Sequence, residues 1–321
     1  MPLLDIDLLQ DDDEIRRAYV ILGMMIQSYC KTTAATSVPH SLAIPWSRIC
    51  RELLDLPLVI VAAGTDLWNH TKIDSKRPLE LRENMRIITS MTGTTSESFF
   101  HLTATAMHVA FGSIMEDLIE LPNYLRNENE YEVAMILRNC ETFFKHIRIL
   151  FKRGKQRIDR TEFYDLYRPL LGGYETGVDM QGTTHKMKGN GPSGGQSSMF
   201  VMLDCALGIV HKGQSLSFQM EAYKAMPAPH RRFVIDFVST IREDTGTVRD
   251  FILRKPRGSD CDNAYRRCLE AYEAFRSYHL GMATRYLSST TKGTGNSTFR
   301  SLLKEFKMDV DKCRRDVFGG E

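Results

Sequence analysis

Apolar residues recur every three to four positions over nearly the whole chain, and sustained alternation of apolar and polar residues is hard to find. The first pattern is typical of amphipathic helices and the second of strands. We therefore predict an all-α fold, a multi-helix bundle in which strands are few or absent. The predicted helices cover residues 13–30, 45–54, 57–69, 97–121, 128–153, 160–171, 196–211, 229–241, 263–288 and 298–317.

Proline and asparagine residues mark several predicted helix ends. Pro45 and Pro57 suit the first position of a helix, because proline has no N–H to donate and its fixed φ is helical. Asn127 or Asn129 can cap the helix over 128–153, and Pro122 is expected to stop the helix before it. These local signals agree with the helical periodicity.

The composition excludes several classes of protein. Of the 321 residues 42% are hydrophobic, so we predict one helical domain over residues 1–321, with a tail over 1–12. Lysine and arginine total 42 against 40 for aspartate and glutamate, so no field of one sign favours nucleic acid or an anionic membrane. We expect a small-molecule partner or another protein, and a homo-oligomer is compatible with the sequence.

Targeting signals and cysteines bear on cellular location. The N-terminus, MPLLDIDLLQDDDEI, is acidic, and no later window is apolar enough to cross a bilayer, so we predict neither a signal peptide nor a membrane span. The seven cysteines are odd in number and scattered, which is typical of reduced thiols. These features predict a cytoplasmic protein.

Two stretches rich in glycine, serine and threonine, 172–195 and 288–298, interrupt the helical pattern and are expected to be functional loops or linkers. Within the first, GNGPSG matches the glycine pattern of dinucleotide sites, but no strand is predicted before it and no P-loop lysine follows. An ordinary capped turn is the simpler interpretation. The alternative is an anion at the helix N-terminus near Gln196.

Other familiar chemistries lack their motifs. The histidines and cysteines form neither C-x-x-C pairs nor H-E-x-x-H, and G-x-S-x-G does not occur. The basic run FKRGKQRIDR at 151–160 lacks interleaved aromatic residues and ends a predicted helix, where cations suit the dipole. We predict no structural zinc, no hydrolase nucleophile and no nucleic-acid site.

His279 is the most informative single residue. It lies on a helical stripe of apolar and aromatic residues, seven positions after Tyr272 and four after Phe275, so its imidazole should be buried. A buried histidine is most often a neutral core residue with hydrogen-bonded ring nitrogens. The pattern also allows an axial ligand to haem iron, which requires a neutral imidazole and an apolar wall. Periodicity alone leaves both interpretations open.

The segment SYHLGMATRYL around His279 resembles the proximal-histidine helix of the indoleamine 2,3-dioxygenase family. Five further segments match that family in the same order: SESFFHLT at 96–103, FYDLYRPLLGG at 163–173, SGGQSSMFVMLDCALGI at 193–209, MPAPHRRFV at 226–234 and KGTGNST at 292–298. The resemblance covers roughly residues 15–315. It implies the helical large-domain fold of the family, with haem b bound between helices.

The resemblance also implies roles for individual residues. His279 would be the proximal iron ligand, and the cofactor site would include Arg276, Asp204, Phe200 and Ser193. Arg168 would hold the substrate carboxylate, a role suited to a planar guanidinium, and Thr103 and Ser193 would act with it in catalysis. The remaining substrate-binding residues would be Phe99, Phe100, Ala62, Thr65, Phe163, Leu171, Gly194 and, in a C-terminal loop, Thr294.

The implied reaction is insertion of dioxygen, the co-substrate, across the C2–C3 bond of tryptophan or another indole, giving an N-formylkynurenine-type product. Two departures from the family bear on the substrate. The chain begins close to the start of the large domain, so most of the usual N-terminal small domain is expected to be missing. Ala62 stands where mammalian members have a pocket tyrosine. A wider indole end of the pocket would favour a bulkier or modified tryptophan.

Three other functions remain open at this point. An indole monooxygenase or rearranging enzyme could use the same scaffold, because fold and haem do not fix the reaction outcome. A haem protein that only binds or senses oxygen is a second alternative, but it has no need of Arg168 as a carboxylate clamp. The third is a helical domain without cofactor.

Overall fold

The computed structural model describes residues 3–79, 82–180, 183–286 and 299–319, and most of these residues are helical. The predicted all-α fold is confirmed. The α-helices of the described residues are α1 (Asp12–Thr33), α2 (His40–Arg48), α3 (Thr95–Gly112), α4 (Met115–Arg126), α5 (Glu130–Lys155), α6 (Arg168–Leu171), α7 (Ser198–Leu207), α8 (Gly213–Lys224), α9 (Ala228–Ser239), α10 (Val248–Leu253), α11 (Asp260–Tyr286) and α12 (Phe299–Phe318). Wider π-helical turns occur at Ile49–Leu54, Ala63–Leu67, Glu162–Tyr167 and Thr240–Thr245, and 3-10 turns at Ile6–Leu8, Arg82–Asn84 and Gly194–Gln196.

Short strands supplement the helices in the described residues: β1 (Ser37–Val38), β2 (His70–Lys72), β3 (Met85–Ile87), β4 (Tyr174–Met180) and β5 (Thr183–Gly189). β1 pairs in parallel with β4, β4 is antiparallel to β5, and β2 is antiparallel to β3. The expectation of an irregular loop over 172–195 is therefore wrong for 174–180 and 183–189. Val178 and Met187 face each other across β4 and β5 and are both buried, so this hairpin contributes to the core.

The larger hydrophobic core surrounds α11, which packs against α5 and α12, while α3 packs on α5. The predicted stripe on α11 accounts for this position, because Tyr265, Leu269, Tyr272 and Phe275 are all almost fully buried. Tyr272 also stacks on Phe144 of α5, with ring centroids 4.2 Å apart. Packing against α5 and α12 therefore fixes the position of α11, whose C-terminal half carries His279.

A second hydrophobic cluster lies under α1, α2 and the hairpin of β4 and β5. Trp46 and Tyr19 stack at its centre, with ring centroids 4.8 Å apart. Gln27 of α1 donates hydrogen bonds to the carbonyls of Leu170 at 2.5 Å and Gly172 at 2.9 Å, which fixes the end of α6 to this cluster. The predicted single domain over 1–321 stays a prediction.

Several helix boundaries differ from the sequence-based prediction. Residues 57–61 of the predicted helix 57–69 are not helical, and only the π-helical turn Ala63–Leu67, preceded by Ala62 in helical conformation, forms. Pro45 and Pro122 lie inside α2 and α4 rather than at an end, and Pro57 begins no helix. The predicted helix 97–121 is two helices that meet at Ser113 and Ile114. α8 and α10 were not predicted, whereas Asn129 caps α5 as expected through its bond with the Glu132 amide.

All seven cysteines are buried free thiols. Burial raises the pKa of several of them, to about 11 for Cys205 and about 12 for Cys261, so they stay protonated at neutral pH. Within the described ranges, no helix combines the length and apolar character needed to span a bilayer.

Candidate active site

An apolar cavity of about 250 Å³ lies between α3, α5, α7, α8, α11, α12 and the turns near Thr65, Phe163 and Gly194. Its wall contains most of the residues predicted for the site. The predicted residues in the wall are Thr65, Phe100, Thr103, Phe163, Arg168, Leu171, Ser193, Gly194, Phe200, Asp204, Arg276 and His279. The sequence motifs, which are widely separated in the chain, therefore converge on one space.

The other three predicted residues have different positions. Phe99 is not part of the cavity wall. Neighbouring residues of an α-helix are 100° apart around its axis, so the side chain of Phe99 points in a different direction from that of Phe100. The centroid of the Phe99 ring lies 5.8 Å from the Arg157 guanidinium. Ala62 is buried just before the turn Ala63–Leu67, with its amide bonded to Gln196 Oε1 at 2.8 Å, and it too is absent from the wall. Thr294 and the loop over 288–298 lie outside the described residues.

His279 faces the cavity from α11. Phe151 packs edge-on to its ring with centroids 5.1 Å apart, and Phe275 lies 6.2 Å away one turn earlier. The residue is partly exposed, and it lines the cavity. Burial, helped by the nearby positive charge of Arg276, lowers the pKa of His279 to about 4. The imidazole is therefore neutral at physiological pH, as a metal ligand must be.

Arg276 and Asp204 form an ion pair beside His279. Arg276 Nη2 lies 3.4 Å from Asp204 Oδ2, and Tyr272 donates a hydrogen bond of 2.5 Å to Asp204 Oδ1 and accepts one from Arg276. The guanidinium lies over the ring of Phe200 at 4.6 Å. Its Nε is buried and has no hydrogen-bond partner among the residues that the structure describes. This donor at the cavity edge is available to an anionic group.

A histidine and a second carboxylate extend this network away from the cavity. His211 lies between Asp204 and Asp309, with Nε2 3.0 Å from Asp204 Oδ2 and Nδ1 2.8 Å from Asp309 Oδ2. Burial alone would lower the pKa of His211, but the two carboxylates outweigh it and raise the pKa to about 9. Burial likewise opposes ionisation of Asp204, yet His211 and Arg276 keep its pKa below the usual value. We call His279, Arg276, Asp204, Tyr272, Phe200, His211 and Asp309 the His279 side.

Another part of the cavity wall carries Phe100, Thr103 and Phe163, with ring centroids of the two phenylalanines 5.0 Å apart. Thr103 donates a hydrogen bond of 2.6 Å to the Phe99 carbonyl. Gly154 lets α5 approach α3 here, because a Cβ at this position would lie 2.1 Å from Thr103 Oγ1. The missing side chain therefore sets the position of Thr103 at the cavity.

Asp66, His101 and Tyr167 form a hydrogen-bonded group beside these aromatic rings, and the sequence analysis did not predict it. Nδ1 of His101 lies 2.8 Å from Asp66 Oδ1, and Nε2 of His101 is hydrogen-bonded to the Tyr167 hydroxyl. Thr65 Oγ1 is also 2.9 Å from Asp66 Oδ1. Asp66 and His101 reach the cavity surface, whereas Tyr167 is fully buried. We call Phe100, Thr103, Phe163, Thr65, Asp66, His101 and Tyr167 the Phe100 side.

Arg168 enters the cavity between the turn Glu162–Tyr167 and α6. Burial lowers the pKa of its guanidinium from a high starting value. Arginine remains charged at neutral pH even so, because its ordinary pKa exceeds 12. A half-buried guanidinium in an apolar cavity is suited to binding a carboxylate.

The glycine-rich segment before α7 is a capped turn, as the simpler sequence interpretation had it. Ser193 and Gln196 form a capping box, and Gln196 Nε2 also donates to the Gly191 carbonyl at 3.1 Å. Gly191 and Gly195 allow close contacts, since a Cβ would lie 1.9 Å from the Leu171 carbonyl oxygen and 2.0 Å from Phe218 respectively. A Cβ on Gly194 would contact nothing within 4 Å. Ser193 and Gly194 are thereby fixed at the cavity wall.

His108 is a further wall residue that sequence reasoning missed. Its Nδ1 lies 2.9 Å from the Ala104 carbonyl and its Nε2 2.9 Å from Ser197 Oγ. Burial lowers its pKa, which favours the neutral form. The helical spacing of His101, Ala104 and His108 on α3 was the available signal, since positions three, four and seven apart lie on one face.

Comparisons with known proteins agree with this site. The family model for indoleamine 2,3-dioxygenase matches residues 1–312. A 6-hydroxytryptophan 2,3-dioxygenase of Fusarium equiseti is 32% identical, with 92% of this chain and 74% of the relative aligned. Indoleamine 2,3-dioxygenase 2 of Mus musculus is 27% identical over 96% and 81%, and the Saccharomyces cerevisiae indoleamine 2,3-dioxygenase is 26% identical over 92% and 71%. The chain is thus an oxidoreductase of the dioxygenase class, and it belongs to the indoleamine 2,3-dioxygenase family.

Proposed function

We propose that this protein is a haem-dependent dioxygenase that adds both atoms of dioxygen across the C2–C3 bond of tryptophan or a ring-modified tryptophan. The product is of the N-formylkynurenine type. The observation that carries this proposal is the convergence of His279, Arg276 and Arg168 on one apolar cavity. An imidazole, a propionate partner and a carboxylate clamp are the three polar groups that such an enzyme requires.

The residues of the His279 side fit haem b, on which the family is known to depend. The pKa of His279, about 4, keeps the imidazole neutral and therefore able to bind iron. Phe151, Phe200 and Phe275 supply the apolar surroundings that a porphyrin needs. Arg276 Nε, buried without a partner among the described residues, is a suitable donor for a propionate. Asp204 and Tyr272 hold the guanidinium in position for that contact.

When bound, the haem supplies the redox chemistry that activates dioxygen toward an indole. The chain's own residues bind and orient the substrate. The Arg168 guanidinium holds the amino-acid carboxylate, and the rings of Phe100 and Phe163 pack against the indole. These contacts fix the C2–C3 bond relative to the His279 side, which lowers the entropic part of the barrier. Thr103, Ser193 and Gly194 complete the wall and exclude water.

Two measurements test the proposal. Purified protein supplied with hemin should gain a Soret absorption band, and His279→Ala should lose it. The reduced protein, given tryptophan or hydroxytryptophans under labelled dioxygen, should form a product with two labelled atoms. One labelled atom would identify the enzyme as a monooxygenase instead. A haem-loaded protein that oxidises no indole would contradict the proposal.

The hypothesis that Ala62 widens the pocket is not supported by the position of this residue. Ala62 lies behind the wall rather than in it, so its small side chain does not by itself widen the indole end. A modified indole substrate remains part of the proposal, supported by the relative named for 6-hydroxytryptophan. We also infer a cytoplasmic enzyme, and the seven buried free thiols support a reducing compartment.

A further inference from the structure

Asp66 carries an acceptor that faces the cavity. Its side chain is only 9% exposed and forms part of the cavity wall. Oδ1 contacts both His101 and Thr65, whereas Oδ2 has no hydrogen-bond partner among the described residues. A ligand that fills the cavity would remove this oxygen from water, and a carboxylate oxygen left there without a donor is costly. A donor on the bound molecule is therefore the natural partner of this atom.

The protons of the group can be assigned from its surroundings. Burial, together with the charges of Glu97 and Asp66, raises the pKa of Tyr167 far above its usual value, so the phenol keeps its proton. Tyr167 therefore donates to Nε2 of His101, and the ring proton of His101 is on Nδ1, pointing at Asp66 Oδ1. Both partners of Oδ1 thus act as donors, and the geometry of the carboxylate is fixed by them.

The surroundings decide which donor fits Oδ2. The rings of Phe100, His101 and Tyr167 pack against one another at centroid distances of 5.4 to 5.9 Å, so the site beside Asp66 is aromatic. A substrate ammonium has three N–H groups and needs several acceptors when it leaves water. A hydroxyl group on an aromatic ring needs one acceptor, and its bond to a carboxylate is short and charge-assisted.

We propose that Asp66 is a specificity-determining residue that accepts a hydrogen bond from a hydroxyl group on the benzo ring of the substrate indole. The inference rests on the proposed function and names the substrate class within it, a hydroxytryptophan. His101 and Tyr167 are positioning residues that hold the carboxylate toward the cavity. Thr65 has the same role through its 2.9 Å contact with Oδ1.

The test compares ligands on the haem-loaded protein. Calorimetry gives dissociation constants for L-tryptophan, 5-hydroxy-L-tryptophan and 6-hydroxy-L-tryptophan, and steady-state assays give kcat/KM for each. A charge-assisted hydrogen bond predicts that one hydroxytryptophan binds roughly 10- to 100-fold more tightly than tryptophan. Wild-type protein that binds neither hydroxytryptophan more tightly than tryptophan would overturn the inference.

Asp66→Val and the isosteric Asp66→Asn then remove the charge. We expect the preference to fall at least about fivefold in either variant, while the affinity for tryptophan changes less than about threefold. Thr105→Val is the matched control, because Thr105 Oγ1 bonds the backbone carbonyl of Asp66 at 2.6 Å but lies outside the cavity wall. It should keep the wild-type preference.

Failure of this inference is distinguishable from failure of the proposed function. An equal loss of affinity for tryptophan and hydroxytryptophan in both Asp66 variants would overturn it, because Asp66 would then bind a group that both ligands share. A preserved preference in calorimetry without any oxidised product would support the role of Asp66 and contradict the dioxygenase function.

Discussion

The His279 side and the Phe100 side of the cavity differ in how their buried charged side chains are paired. On the His279 side, Arg276 and His211 alternate with Asp204 and Asp309, so each buried charge has a counter-charge within 3.4 Å. On the Phe100 side, one carboxylate, Asp66, is held at Oδ1 by His101 and Thr65, and its Oδ2 has no hydrogen-bond partner among the described residues. The first arrangement stabilises a fixed structure, whereas the second is incomplete until a ligand binds. The comparison suggests that cofactor and substrate recognition are built from different kinds of network.

His279→Ala should produce the largest change. Removing the imidazole removes the only nitrogen that we assign to the iron, and haem affinity should fall by a factor on the order of 1,000 or more. Hemin titration followed at the Soret band measures this. His146→Ala is the control, since His146 lies on exposed surface of α5. Normal haem affinity in His279→Ala would show that another residue binds the iron.

Asp204→Ala should destabilise the His279 side strongly. It leaves the charges of Arg276 and His211 buried without their shared partner, which typically costs about 3–5 kcal/mol. Denaturant unfolding of the haem-free protein measures the loss. The surface pair of Arg249 and Asp316, 3.3 Å apart, supplies the control Asp316→Ala, with an expected cost below about 1 kcal/mol. Equal losses of unfolding free energy in Asp204→Ala and Asp316→Ala would contradict the claim that the buried network is worth more than a surface ion pair.

Alkaline pH should weaken the same network. His211 has a pKa of about 9 in the folded protein against 6.5 for the ordinary side chain, so its stabilisation is complete below pH 6.5 and is lost as pH rises through 9. The shift corresponds to about 3 kcal/mol in total. The groups around the ring are Asp204, Asp309 and, behind Asp204, Arg276. Unfolding free energies between pH 6 and 10 should decline in the wild type and stay flatter in His211→Gln.

Arg168→Ala should have the smallest of these effects, and it concerns the substrate alone. Loss of a charge-assisted contact to the substrate carboxylate should cost about 1.5–3 kcal/mol, which raises KM roughly 10- to 150-fold. Haem binding should be unchanged. Arg153→Ala, an exposed arginine outside the cavity wall, is the matched control. An unchanged KM in Arg168→Ala would mean that the carboxylate binds elsewhere.

Sequence reasoning was most successful where long periodic segments carry their own signals. The helix predicted over 128–153 is α5, which begins at Glu130 after its Asn129 cap, and the stripe on α11 correctly predicted a buried face around Tyr272. It was wrong over 57–61, because a segment that is apolar on all sides, such as LPLVIV, has no period that distinguishes a buried helix from extended chain.

The candidate site shows the same division. His279 and Arg168 were predicted from local motifs, which keep their spacing along the chain, and both line the cavity. The contact of Asp66 with His101 joins residues 35 apart, and Tyr167 lies a further 66 residues along. Each of the three is unremarkable in its own segment. Only the packing of α3 against two π-helical turns brings them together, and no sequence pattern encodes that packing.

The seven buried thiols have a practical consequence for an enzyme that handles an oxidant. Sulfur reacts with peroxides and alkylating reagents as the exposed thiolate, and burial keeps these sulfur atoms away from such reagents. Modification must therefore wait until a segment opens to solvent. The rate at which a maleimide labels the native cysteines would consequently measure how often the segments around them open, and no cysteine has to be introduced for the experiment.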